Sequence, residues 1–139
     1  VTHCVLDSSA ALAWILPGEA TAATAALLTD IANDGAMAPG LWPLELANVL
    51  CMAERRGRIS LADRTRAMAI LAELPIHIDK QTATAAFGPI SALASAWDLT
   101  VYDACYLELA LRAALPLASL DQRLCQAAAS AGVRLILAR

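Results

Sequence analysis

The sequence predicts an α/β fold of one domain, spanning 1–139, in which a parallel sheet lies between two layers of helices. Two observations carry this. Short apolar runs alternate along the chain with longer segments bearing helix caps and stops. Those runs are unbroken rather than alternating in polarity, as strands covered on both faces are. The length, 139 residues, suits a single core.

The first run, His3-Cys4-Val5-Leu6, ends abruptly at Asp7. Ser8 or Ser9 then caps a helix from about Ala10 to Leu16, stopped by Pro17-Gly18. A second helix fits Thr21 to Asp34, with Gly35 as its stop. Ala36-Met37-Ala38 is the second strand, the weakest of the set. A strongly apolar helix follows from Pro43 to about Arg56 and ends at Gly57. Ser60 caps the next helix, to Glu73, with Asp63 completing a capping-box-like start. Ile76-His77-Ile78 is the third strand, followed by a helical stretch interrupted at Gly88-Pro89. Thr100 to Leu115 is apolar and helical, closed by Pro116. Leu117 to Leu120 is a strand ending at Asp121, a helix runs to Ala131, and Val133 to Leu137 is a last strand.

Composition excludes several classes. The apolar fraction is 59% with only 4% aromatics, and 33 alanines account for the difference. Disorder is excluded, since disordered chains are poor in apolar residues. The longest charge-free stretch, Gln81 to Trp97, carries Gly88, Pro89 and several hydroxyls, too short and polar to span a membrane. The N-terminus does not read as a signal peptide. Four scattered cysteines and two histidines, His3 and His77, make a zinc site improbable and favour buried, reduced thiols. Both histidines fall in expected strands. A cytoplasmic location is the expectation. Net charge is −3, yet nine of the ten bases are Arg, and five of them crowd into Arg55, Arg56, Arg58, Arg64 and Arg66. An acidic average therefore leaves a polyanionic partner open.

Acids placed where acids are costly say the most. Asp7 and Asp121 each follow an apolar strand, at the edge where open α/β sheets place ligands. Glu45 and Asp103 begin helices that otherwise read as buried. A carboxylate in such surroundings needs a partner, because burying an isolated charge costs several kcal/mol even after relaxation. No base is near any of the four in sequence, and a hard divalent cation such as Mg²⁺ or Mn²⁺ satisfies them together. Singly, each acid reads equally well as a helix cap or a first-turn acid. Four such placements together are harder to explain that way.

The segments Val5-Leu6-Asp7-Ser8-Ser9-Ala10, Leu41-Trp42-Pro43-Leu44-Glu45-Leu46-Ala47-Asn48, Val101-Tyr102-Asp103-Ala104 and Ser119-Leu120-Asp121 resemble, in order and spacing, PIN-domain proteins of the VapC toxin type. The similarity runs over essentially the whole chain. The resemblance implies a central parallel sheet of four or five strands. It implies a metal-dependent endoribonuclease, the toxin of a type II toxin–antitoxin pair, held in check by a small antitoxin. Asp7, Glu45, Asp103 and Asp121 match the acidic quartet, which would hold Mg²⁺ or Mn²⁺, and Ser119 matches a hydroxyl position before the last acid. Some relatives carry a further acid after the fourth, where this chain has Gln122 and Arg123. Products with 5′ phosphate and 3′ hydroxyl ends are implied, and relatives commonly pair as homodimers.

Around the quartet, Ser9 and Ser119 are candidates to orient ligands or water, or to cap locally. Asn48 lies one turn after Glu45 on its face, a candidate to fix that carboxylate or touch RNA. Arg55, Arg56 and Arg58 are candidate RNA contacts, although a charge run is more often a solvated face. Trp14 and Trp42 are candidates to line an antitoxin groove, with core packing expected for at least one.

Rival readings fit less well. A receiver-like domain needs a site lysine, and Lys80, the sole one, is misplaced. A dehalogenase-like phosphatase needs an acid at the position of Ser9. No glycine-rich phosphate loop is present. The remaining alternative is a degenerate PIN domain that binds RNA or protein without cleaving.

Overall fold

The structure is a computed structural model that describes residues 2–137. The elements are β1 (Val5–Leu6), α1 (Ser8–Ile15), α2 (Ala22–Asp34), β2 (Ala36–Ala38), α3 (Trp42–Arg55), α4 (Leu61–Glu73) and β3 (Ile76–Ile78). There follow α5 (Thr82–Ala85), a π-helical turn (Ala86–Ile90), α6 (Ser91–Trp97), α7 (Val101–Ala113), β4 (Leu117–Ala118) and α8 (Gln122–Ser130). The sheet is parallel throughout, in the order β3-β2-β1-β4. Helix α1 packs against α2 and α3, and α3 against α4, while α7 packs against α6 and α8. The return from β3 to β4 reverses direction across the sheet, which for crossovers of the common right hand separates α1 to α4 from α5 to α7.

Short-range chemistry sets most boundaries. Thr21 and Thr24 form a reciprocal capping box on α2, and Ser60 and Asp63 do the same on α4. Gly35 ends α2 at φ 78°, and a Cβ there would meet the Pro75 carbonyl oxygen at 2.9 Å, so both backbone shape and space demand glycine. Val5, Leu6, Leu117 and Ala118 are wholly buried, as strands covered on both sides must be. Residues 104–110 of α7 are all buried, which makes this helix the spine of its layer.

Several expectations change. Helix α1 starts at Ser8, two residues early, with Asp7 at the N-cap, so Ser8 and Ser9 lie in the first turn. Its cap makes no side-chain hydrogen bond, which leaves the Asp7 carboxylate free for other partners. Strand β4 stops at Ala118, whose carbonyl accepts from the Asp7 N–H at 3.0 Å, and the Ser119 hydroxyl beyond it donates to the Asp7 carboxylate. The final strand shrinks to one parallel bridge between Leu117 and Leu135, giving four strands among the described residues. The break at Gly88-Pro89 is a π-helical turn within a continuing helix, since Pro89 withholds an N–H from the regular ladder. His3 precedes β1, with its ring 3.7 Å from Asp30 and 3.9 Å from Asp34, and His77 is exposed on β3. Cys4 and Cys105 are buried, their thiols pushed by burial up to about 12 and about 11. Cys51 and Cys125 are only half-buried, and all four are free thiols.

Candidate active site

All four acids reach one region. Asp7 follows β1 and Asp121 follows β4, the two neighbouring strands from which the chain departs in opposite directions. That junction is the topological switch point, where the carboxyl ends of α/β strands leave a crevice. Glu45 enters from the first turn of α3 and Asp103 from the first turn of α7. Asp7 and Asp121 are themselves the N-cap residues of α1 and α8. Each carboxylate thus sits at the positive end of a helix dipole, worth about 0.3–1 kcal/mol apiece, which softens their mutual repulsion.

Asp7 is the centre. It is 4% exposed, and the hydroxyls of Ser9 and Ser119 each donate to its Oδ2 at 2.7 Å. The same two hydroxyls organise the loop after β4: Ser9 Oγ accepts from the Leu120 N–H at 2.9 Å and Ser119 Oγ from the Asp121 N–H at 3.0 Å. One network therefore ties the first strand end to the last. Glu45 accepts from the Tyr106 hydroxyl through Oε1, and from Ser8 Oγ at 3.4 Å. Asp121 accepts from the Leu124 N–H at 2.9 Å, a true side-chain cap. Around Asp103, the Thr100 hydroxyl accepts from its backbone N–H at 3.1 Å and caps α7.

The carboxylates lie within electrostatic reach of one another. Burial raises the pKa of Asp7 above the ordinary carboxylate range, and the charge of Asp121 adds to it. Glu45 is raised by burial and by Asp7 and Asp103. Asp103 is raised by burial and by Asp121 and Asp7. The base that bears on them, Arg123, acts on Asp103 and is itself paired with Asp98 at 3.1 Å on the surface. Among the described residues, no three His, Cys, Asp or Glu side chains are drawn together into a ready-made ligand cluster. What the structure presents is an uncompensated negative site of oxygen donors, which suits a hard divalent cation.

The supporting residues divide. Ser9 and Ser119 touch Asp7. Asn48 is exposed on α3, and Arg55, Arg56 and Arg58 are exposed around its C-terminal end. Arg64 turns back to Glu54 at 3.0 Å and Arg66 to Asp63 at 3.3 Å, so these two belong to the α3–α4 surface. Trp42 is 4% exposed and part of the core, so as a partner contact it is largely covered. Trp14 keeps partial exposure, donates its indole N–H to the Thr24 carbonyl at 2.7 Å, and borders a groove with Ile59 and Ile70. Sequence reasoning missed Tyr106 and Ser8. Tyr106 lies three residues after Asp103, on its helical face, and that spacing was the available signal.

With this geometry in view, the comparisons with known proteins are decisive for the family. Residues 4–130 match the PIN domain. The chain belongs to the PIN domain family. Its fold is similar to the crystal structure of PAE2754 from Pyrobaculum aerophilum, with a TM-score of 0.67 and 22% identity over 91% of this chain and 84% of that one. None of the curated proteins matches the sequence. PIN domains are generally nucleases, which agrees with an acidic crevice at the switch point. Among the described residues, no helix is long and apolar enough to cross a membrane.

Proposed function

We propose that this PIN domain is a metal-dependent endoribonuclease, the toxin of a type II toxin–antitoxin pair, with Asp7, Glu45, Asp103 and Asp121 as its catalytic acids. The observation that carries the reading is Asp7: a carboxylate almost wholly buried, held by two hydroxyls, under the influence of like charges and, among the described residues, lacking a basic partner. Such a group is costly, and a divalent cation offsets the cost. The donor set fits Mg²⁺ or Mn²⁺, both of which prefer carboxylate and water oxygens. When bound, the ion supplies a lowered water pKa and charge neutralisation at a scissile phosphate.

The remaining work belongs to the chain's own residues. Ser9 and Ser119 both donate to Asp7 Oδ2 and so hold the carboxylate in one orientation. The Tyr106 hydroxyl fixes Glu45, and the cap on α8 fixes Asp121. Neither histidine is needed as a base. Arg55, Arg56 and Arg58 are free to meet RNA phosphates, and the groove beside Trp14 suits a helix of a small cognate antitoxin. A homodimer and a cytoplasmic setting complete the proposal.

Purified protein incubated with total bacterial RNA, with and without Mn²⁺ or Mg²⁺, tests this beside an Asp103→Asn variant. Discrete metal-dependent fragments absent from the variant support it. Folded protein, shown free of antitoxin, that leaves RNA intact in either metal would point instead to a degenerate PIN domain that only binds.

A further inference from the structure

The switch-point crevice continues into a groove that the proposed chemistry does not use. It has a volume of about 420 Å³, within the roughly 300–1,000 Å³ of small-ligand sites. One wall is α8, where Gln122, Gln126 and Ala129 follow one another at helical spacing on a single face. The other wall is the chain after α8, through Leu135 and Leu137, and Ser119 with Leu120 closes the end nearest the acids. Ser119 thus belongs to both places: its hydroxyl binds Asp7 and its residue lines the groove.

The lining chemistry narrows the occupant. Leucine side chains offer an apolar floor, and two exposed amides offer both donors and acceptors. Among the described residues, those that line the groove carry amides, a hydroxyl, a thiol and apolar groups. Unstacked bases of single-stranded RNA have this mixed character: apolar faces, and edges read by hydrogen bonds. Side-chain amides of Gln can read such edges bidentately.

We propose that the groove is a nucleobase subsite that takes the base of a nucleotide adjoining the scissile phosphate, with Gln122 and Gln126 reading its edge. The inference rests on the nuclease reading of the neighbouring acids, and it makes these two residues determinants of cleavage sequence.

The test uses a pool of randomised single-stranded RNA 12-mers, cut in Mn²⁺ and sequenced at the new ends. Wild-type protein is expected to favour particular bases at one position beside the cut. Gln122→Ala and Gln126→Ala are expected to weaken that preference on the order of tenfold, while Ser130→Ala, outside the groove on the same helix, keeps it. An unchanged preference in both Gln variants overturns the proposal, as does wild-type cleavage indifferent to neighbouring bases. Binding separates this failure from failure of the nuclease reading. In metal-free Asp103→Asn protein, the side-chain amide NMR signals of Gln122 and Gln126 should shift with the 12-mers. Their constancy sinks the subsite whether or not the protein cuts RNA. Shifts produced by an apolar peptide and not by RNA would assign the groove to a protein segment, against the proposal.

Discussion

Asp7 and Asp79 occupy equivalent places and have opposite fates. Each is the residue after a strand of the same parallel sheet, β1 and β3, and each is almost wholly buried, at 4% and 7% exposure. Asp79 is neutralised. Arg112 from the end of α7 donates to its two oxygens at 2.6 and 3.2 Å, and Thr82 adds a hydroxyl at 3.1 Å. The same guanidinium holds Glu108 at 2.8 and 3.0 Å, so two buried acids share one base. Asp7 has two serines and, among the described residues, no base, and three more acids lie within its electrostatic reach. Arg112 holds the Asp79 carboxyl below the ordinary range, whereas burial drives that of Asp7 above it. Buried carboxylates are therefore not in themselves the mark of a site. An uncompensated set is.

The largest effect expected from this contrast is on cleavage. Asp103→Asn should lower metal-dependent RNA cleavage by about 10³-fold or more, in line with losses from removing essential catalytic groups, measured by single-turnover assay. Arg112→Met should leave the acidic site in place and cost about 2–3 kcal/mol of stability. That is below the roughly 3–5 kcal/mol for breaking a fully buried pair, since Arg112 is one-third exposed. Urea denaturation reads it, and a loss below about 0.5 kcal/mol would break the comparison.

Asp7→Asn in metal-free protein should act in the opposite direction, stabilising by about 1 kcal/mol while abolishing cleavage, because function and stability compete at such sites. Adding Mn²⁺ at about 100 times its Kd should raise wild-type stability by about 2.7 kcal/mol and leave Asp7→Asn nearly unmoved. Ser9→Ala or Ser119→Ala should lower metal affinity by about 10–100-fold.

The pH dependence sharpens the contrast. Asp79 has a depressed folded pKa, so its contribution is full above the unfolded value and is lost as pH falls through the folded one. Asp7, Glu45 and Asp103 have raised folded values, so their ionisation opposes folding at neutral pH and the penalty fades on acidification. Metal-free protein should therefore gain stability as pH falls through the raised pKa values of these acids, and lose it on further acidification below about 4, through the depressed value of Asp79. Asp7→Asn should shrink the first limb, and Arg112→Met the second. Substituting Arg55, Arg56 or Arg58 by Ala should have the smallest effect on stability, within about 0.5 kcal/mol.

Local signals in the chain proved sound where they depend on neighbouring residues. Thr21 and Ser60 cap the helices they precede, Gly35 stops α2, and each expected strand segment contributes a parallel pairing. What escaped were contacts between distant groups. The Ser119 hydroxyl, just past the end of β4, donates to Asp7, 112 residues away in sequence, and no local pattern announces that. The four acids were legible because apolar flanks make a charge conspicuous. Tyr106 was not, because a tyrosine in an apolar helix reads as core until its hydroxyl finds Glu45, 61 residues away.

By itself the sequence determined the alternation of strands and helices, and with it the placement of acids at strand ends and helix starts. These follow from periodicity and capping within a few residues. Which acids would be compensated was decided only by the tertiary structure. Arg112 lies 33 residues from Asp79, and only the crossover from β3 to β4 brings its guanidinium there. Asp7 lies at a switch point where four helix N-termini converge and, among the described residues, it pairs with no base. The energy of a buried charge depends on what surrounds it in space, and that environment is a property of the fold.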